Sequence, residues 1–218
     1  MLKSIGKFLS IILNSIAPLR SDFEIVKNLD EKTINSLPEA KSVEGMDWIH
    51  SLFNYKDRRV KAIIWELKYK DNILPLETIG KIFYDEIMAL VSDITLFNSK
   101  AEFLLIPIPI TDEKRRIRGY NQSEYIAREI MKNDLEHILL YAPQWFRKIK
   151  ETHDQSHSQT KDERRKNLEN CFEANPEVEG KYVILIDDVV TTGSTLLEAR
   201  KTLLSSGATD VFAFTIAH

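Results

Sequence analysis

The stretch Lys181-Tyr-Val-Ile-Leu-Ile-Asp-Asp-Val-Val-Thr-Thr-Gly-Ser-Thr195 leaves the chain few choices of fold. Val183 to Ile186 form a short, continuous apolar run, the pattern of a parallel strand covered by helices on both faces. Asp187 and Asp188 then fall at the strand's carboxyl end, the edge where open α/β sheets bind ligands. Two carboxylates there are placed to meet hydroxyls or a metal ion. Thr191-Thr-Gly-Ser-Thr195 follows as a turn of small residues, in which Gly193 permits positive φ and close backbone approach. Leu196, Leu197, Ala199, Leu203 and Leu204 recur at helical spacing after it. Amides and hydroxyls at a helix N-terminus make a cup for an anion, and a phosphate monoester fits it. Acids for a sugar diol beside a cup for a phosphate describe a ribose 5-phosphate site. The plain alternative is a strand–turn–helix with a capped start; the order of acids, turn and helix favours the site.

All 13 positions from Val183 to Thr195 resemble the phosphoribosyl-pyrophosphate (PRPP) signature of type I phosphoribosyltransferases: four apolar residues, two acids, two apolar residues and a Thr/Gly/Ser-rich turn. A chain of 218 residues, 43% of them hydrophobic, can bury a substantial core around such a strand, as one domain with an extension. A net charge of −3 gives no global sign of a nucleic-acid footprint. The single cysteine, Cys171, rules out an internal disulfide and a cysteine-based zinc cluster, and suits a reducing, cytoplasmic compartment. No apolar run approaches the ~20 residues of a membrane-spanning helix.

Met1 to Arg20 places Lys3 and Lys7 ahead of an apolar stretch, which could be mistaken for a signal peptide. No clear small-x-small cleavage site follows Ile16, so a packing or interfacial helix is the preferred reading, with Ile5, Phe8, Leu9, Ile12, Leu13 and Ile16 on its apolar face. Ser21 to Met46 is polar and marked by Pro38 and Gly45, and reads as a linker or poorly packed segment. The chain thus divides into 1–47, helix and linker, and 48–218, the ligand-binding domain. From Trp48, the residues Ile49, Leu52, Phe53, Val60, Ile63, Ile64 and Leu67, then Ile79, Ile82, Phe83, Ile87 and Leu90, recur at helical spacing, with Pro75 dividing two helices. Lys68 and Lys70 between them read equally as a solvated helix end or as phosphate contacts.

Phe103-Leu-Leu-Ile-Pro-Ile-Pro-Ile110 is a strand that must leave the sheet near Pro107, since prolines cannot donate to a central ladder. The segment Thr111 to Gln122 reads as a basic loop with one glycine, followed by a helix from Tyr125. Lys114, Arg115, Arg116 and Arg118 lie there between a strand end and a helix start, where pyrophosphate oxygens would need cations and amides. Leu139 to Ile149 reads as another strand with its approach, and Leu168 to Phe172 as a short one. Between them Lys150 to Asn167 is nearly devoid of apolar residues, the composition of a lid or binding loop. His153 and His157 share a helical face there, without a third metal ligand nearby.

Five blocks sharpen the resemblance: Leu67-Lys-Tyr-Lys, Leu105-Ile-Pro-Ile-Pro, Arg118-Gly-Tyr-Asn-Gln122, Glu163-Arg-Arg-Lys-Asn-Leu168 and the Asp187-Asp188 stretch. Their order and spacing resemble the ComF family of phosphoribosyltransferase-like proteins from about Trp48 onward, and Met1 to Pro18 looks like the helix that opens those proteins. Two departures stand out. Ser21 to Met46 holds no cysteine where the family usually has a four-cysteine zinc finger, so no zinc is expected; and Thr152-His-Asp-Gln155 replaces a usual Thr-Pro-Pro-Gln. The resemblance implies a type I phosphoribosyltransferase fold, α/β, with a mostly parallel sheet of about five strands flanked by helices. It implies transfer of ribose 5-phosphate from PRPP to a nitrogen acceptor. Val189, Val190, Thr191, Thr192, Gly193, Ser194 and Thr195 would form the 5-phosphate turn, and Asp187 and Asp188 would hold the ribose hydroxyls and support Mg²⁺. Arg115, Arg116, Arg118, Gly119 and Asn121 would meet the pyrophosphate, and a loop around Arg164 and Arg165 would close. It also implies a link to natural competence, with recombination proteins and single-stranded DNA as partners; a non-catalytic PRPP or nucleotide sensor is the competing reading. Oligomeric state stays open.

Overall fold

A computed structural model describes residues 25–69, 75–150 and 169–218, the side chains of Tyr69 and Arg118 excepted. The expected N-terminal helix over Met1–Arg20, Lys70, the block Glu163–Leu168 with Arg164 and Arg165, and the loop histidines lie outside the described residues.

Strand β6 (Tyr182–Val189) is the central strand predicted from its apolar run, and Val183 to Ile186 are fully buried. It pairs on one side with β2 (Phe103–Pro107) and on the other with β7 (Asp210–Ala217). Outside these lie β1 (Ile49–Phe53) on β7 and β3 (Leu139–Tyr141) on β2, giving the order β1-β7-β6-β2-β3 with every pair parallel. Ile184 and Ile186 enter one core with α2 (Arg58–Tyr69), α3 (Leu76–Phe97) and α5 (Gln122–Met131). Val183 and Leu185 enter the other with α6 (Ser194–Ser205). Both faces of the strand are therefore dry, as a parallel strand without polar alternation requires. The β2 connection runs outward to β3 and the β6 connection outward to β7, so the chain reverses direction between β2 and β6. Ligands of open α/β sheets bind in the crevice at such a reversal.

Three expectations are corrected. Ile49 and Phe53 share helical spacing with later residues, yet they belong to edge strand β1, where pairing of Ile49 with Ala213 and Phe53 with Ala217 decides a pattern too short to settle itself. The segment before Trp48 is packed: α1 (Glu31–Asn35) starts with Asp30 accepting from the Thr33 amide at 2.8 Å. Val26, Ile34 and Leu37 are buried in one core and Val43 in the other. Few apolar residues at wide intervals gave that segment a polar composition while leaving enough to fill two sites. The supposed basic loop contains a seven-residue helix, α4 (Asp112–Arg118), capped by Thr111 and ended by Gly119 in the left-handed region at φ 82°.

The Leu139–Ile149 stretch divides between two sheets. After β3 comes a 3-10 turn (Pro143–Trp145), then β4 (Phe146–Lys148), which pairs antiparallel with β5 (Phe172–Ala174).

Candidate functional site

Asp187 and Asp188 end the buried run of β6 at the carboxyl edge, next to the departure of β2 at Pro107. The Ile108 amide still donates to Ile186 O at 2.8 Å, so the chain leaves the sheet one residue beyond the first proline. Ile108 O then accepts from Asn121 Nδ2 at 3.0 Å, while Asn121 Oδ1 caps α5 by accepting from the Ser123 amide at 3.1 Å. Asn121 was expected at the pyrophosphate. Its buried amide is instead spent at both ends on joining α5 to the end of β2.

That strut sets Ser123, which sequence reasoning missed, against the acids: Ser123 Oγ donates to Asp187 Oδ1 at 3.0 Å, and the Asp188 amide donates to the same oxygen at 3.0 Å. Burial, and then the neighbouring Asp188 carboxylate, push the Asp187 carboxyl up to about 7, against the pull of these two donors and of Lys68. Asp188 is buried, and its Oδ2 lies 3.1 Å from Lys68 Nζ at the end of α2. Burial works against the Lys68 charge, but the Asp188 carboxylate, with help from Asp187, holds the ammonium above its ordinary range. Lys68 is therefore no simple solvated helix end. The α2 terminus is fixed to the Arg118–Gln122 block by Tyr120 OH donating to Leu67 O at 3.1 Å and Gln122 Nε2 donating to Lys68 O at 3.4 Å.

The small-residue turn joins β6 to α6 as the sequence suggested. Val189 pairs with Ala217 and the Val190 amide donates to Ala217 O at 3.0 Å, so these two residues frame the turn. Thr191 and Thr192 are exposed, Ser194 and Thr195 are half-buried, and Thr192 Oγ1 and Ser194 Oγ lie 2.9 Å apart. Gly193 adopts φ 72° and begins α6, whose first amides have no intrahelical acceptor. It is buried rather than at the surface: a Cβ there would lie 2.6 Å from Met46 Sδ, so the glycine makes room for Met46 as well as for the turn.

The basic segment is partly committed. Arg115 pairs with Glu124 of α5, with NH1 donating to Oε2 at 3.3 Å, and that hydrogen bond raises the guanidinium further above its ordinary range. Arg116 is exposed, its Nε 3.4 Å from Asp112 O. Gly119 is exposed, with open space where a Cβ would stand. A cavity of about 500 Å³ opens beside α4, lined by Pro107, Pro109, Thr111, Arg115, Phe146 and Lys148 among others; the acid pair does not line it. Among the described residues no three His, Cys, Asp or Glu side chains cluster for a metal. The two acids fit a hard cation that takes its remaining oxygens from a bound ligand.

A parallel five-stranded sheet with adjacent acids at its reversal point, running into a small-residue turn and helix, defines a protein of the type I phosphoribosyltransferase fold. Comparison with known proteins agrees: the family described as Phosphoribosyl transferase domain matches residues 142–217. DNA utilization protein YhgH of Salmonella typhi is 32% identical over 109 residues, 49% of this chain and 45% of that protein. The chain therefore spans less than half the length of that relative. Competence protein F of Haemophilus influenzae is 27% identical over 72% of this chain and 67% of its own length. Competence protein ComFC of Bacillus subtilis is 28% identical over 70% and 69%. The chain is thus similar to competence proteins of the ComF type over about 70% of its length, and to the phosphoribosyltransferase domain over residues 142–217. No helix among the described residues is long and apolar enough to cross a membrane.

Proposed function

We propose that this protein binds PRPP, or a nucleotide sharing its ribose 5-phosphate, together with Mg²⁺, and transfers the phosphoribosyl group to a nitrogen acceptor in the cytoplasm. The observation that carries the reading is the placement of Asp187 and Asp188, held by Ser123 and Lys68, directly ahead of the Gly193 turn. In this reading Thr191 to Thr195 hold the 5-phosphate with amides and hydroxyls. Asp187 and Asp188 accept from the 2- and 3-hydroxyls of the ribose and would hold Mg²⁺ jointly with the ligand; the cation would supply charge neutralisation at the diphosphate. The bond between C1 and the pyrophosphate oxygen breaks, a bond from the acceptor nitrogen to C1 forms, and pyrophosphate leaves with the bonding pair. Arg116 and Arg118 with Gly119 stabilise the departing charge, Arg115 joins them once it parts from Glu124, and Arg164 and Arg165 close over the site to exclude water.

A second reading, a PRPP- or nucleotide-sensing protein without turnover that acts with competence or recombination partners and single-stranded DNA, is favoured by the names of the relatives, which speak of DNA utilization and competence. One experiment separates the two. Calorimetric titration with PRPP, with and without Mg²⁺, is expected to show binding that depends on the cation; pyrophosphate release is then followed across a panel of nitrogen bases. Release with any base supports transfer, binding without release supports sensing, and no binding of PRPP or nucleotide defeats both.

A further inference from the structure

Lys68 stands where the ligand's own charges would have to act. Its ammonium takes Asp188 Oδ2 at 3.1 Å, and the two side chains are 30% and 11% exposed, so water screens the pair weakly. The backbone beneath it cannot follow a moving side chain, because the carbonyls of Leu67 and Lys68 are both held by side chains of the Tyr120–Gln122 segment. Any exchange of partners is therefore a rotation of the lysine's own four-carbon stem. A bare divalent cation approaching Asp188 meets a positive charge already in place and must expel it without offering it a new partner. A cation arriving with a diphosphate brings that partner along.

We propose that Lys68 is an exchangeable counter-ion: it occupies Asp188 in the ligand-free protein, keeps bare divalent cations off the acid pair, and passes its ammonium to the diphosphate of the incoming ribose ligand. The last step rests on the PRPP reading above; the guarding role does not. The order of binding follows, with cation and diphosphate entering together, since each supplies what the other's arrival displaces.

Titration of the full chain with Mn²⁺ alone, read by electron paramagnetic resonance, tests the guard. Lys68→Met is expected to bind Mn²⁺ roughly tenfold or more tightly than wild type, whereas Lys68→Arg, which keeps the charge, stays near wild type. Calorimetry with PRPP and Mg²⁺ tests the hand-over: Lys68→Met is expected to lose roughly tenfold in affinity. Equal Mn²⁺ affinity in wild type and Lys68→Met overturns the guarding role, and undiminished PRPP affinity in Lys68→Met overturns the hand-over. If Lys68→Met does not fold in chelator, Mn²⁺ should restore its fold by replacing the lost charge at Asp188, and failure to do so counts against the proposal. A wild type indifferent to PRPP defeats the ligand assignment and the hand-over with it, while the guard still stands or falls on Mn²⁺.

Discussion

At the scale of single residues, one buried carboxyl ties stability to pH. Asp187 ionises at about 7 in the folded chain against an ordinary value of 3.8. Between those values the folded state keeps a proton that the unfolded state has released, so stability falls as pH rises through that window, and the penalty is fully present above it. Asp187→Asn removes the penalty. Its melting temperature is expected to exceed that of wild type by a few degrees at pH 8, with the gap closing toward pH 4; a gap independent of pH would show that burial of this charge is not the cause. Ser123→Ala acts in the opposite sense, since its hydroxyl favours the ionised acid. Affinity for PRPP and Mg²⁺ should fall roughly three- to tenfold at pH 7 and recover by pH 8.5, as calorimetry at the two values would reveal. The acids themselves were legible because strand, carboxylates and turn are contiguous. Ser123 was not, because its partner lies 64 residues away; the one available signal was its position immediately after the Arg118–Gln122 block.

At the scale of elements, two glycines fix how helices reach the site. Gly80 of α3 lies where α5 crosses, and a Cβ there would stand 2.7 Å from Glu129 Cβ and 2.9 Å from its backbone carbon. Alanine would raise helix propensity by up to ~1 kcal/mol, but overpacking against backbone costs about 1–3 kcal/mol, so the clash wins. Gly80→Ala should lower the melting temperature by several degrees and, by shifting α5, loosen Ser123 from Asp187. At Gly193 a valine meets both the positive φ and Met46, so a clear loss of stability should accompany the loss of PRPP binding. Met46→Ala in the same chain should recover part of the stability and none of the binding, because the backbone strain remains; full recovery of both would remove φ from the argument. Helix α4 was missed because six polar residues and a single apolar one, Ile117, carry no periodic signal, and its Thr111 cap becomes readable only once the strand end at Pro107 is known.

At the scale of the whole molecule, the packed segment before Trp48 belongs to the stability of the sheet it covers. Burying Val26, Ile34, Leu37 and Val43 contributes about 1.5–3 kcal/mol each, together a sizeable part of the ~5–15 kcal/mol that holds a domain folded. A chain beginning at Trp48 should show no cooperative melting by circular dichroism; a sharp transition near that of the full chain would show the segment to be dispensable. The parallel, roughly five-stranded character of the sheet could be expected from the family resemblance, while the cover supplied by residues 25–47 could not, because it depends on which distant surfaces those few apolar side chains reach. The same sheet has a consequence in time. Edge strand β1 meets Glu39 in an antiparallel bridge at Phe53 but finds its parallel ladder on β7, and the contact between Ser51 and Thr215 joins residues 164 positions apart. A ribosome adding about 5–20 residues per second leaves Ile49 to Phe53 without β7 for on the order of 10–30 s. Throughout that interval the edge of β1 that will meet β7 stays open to every other chain nearby, and it closes when β7 emerges.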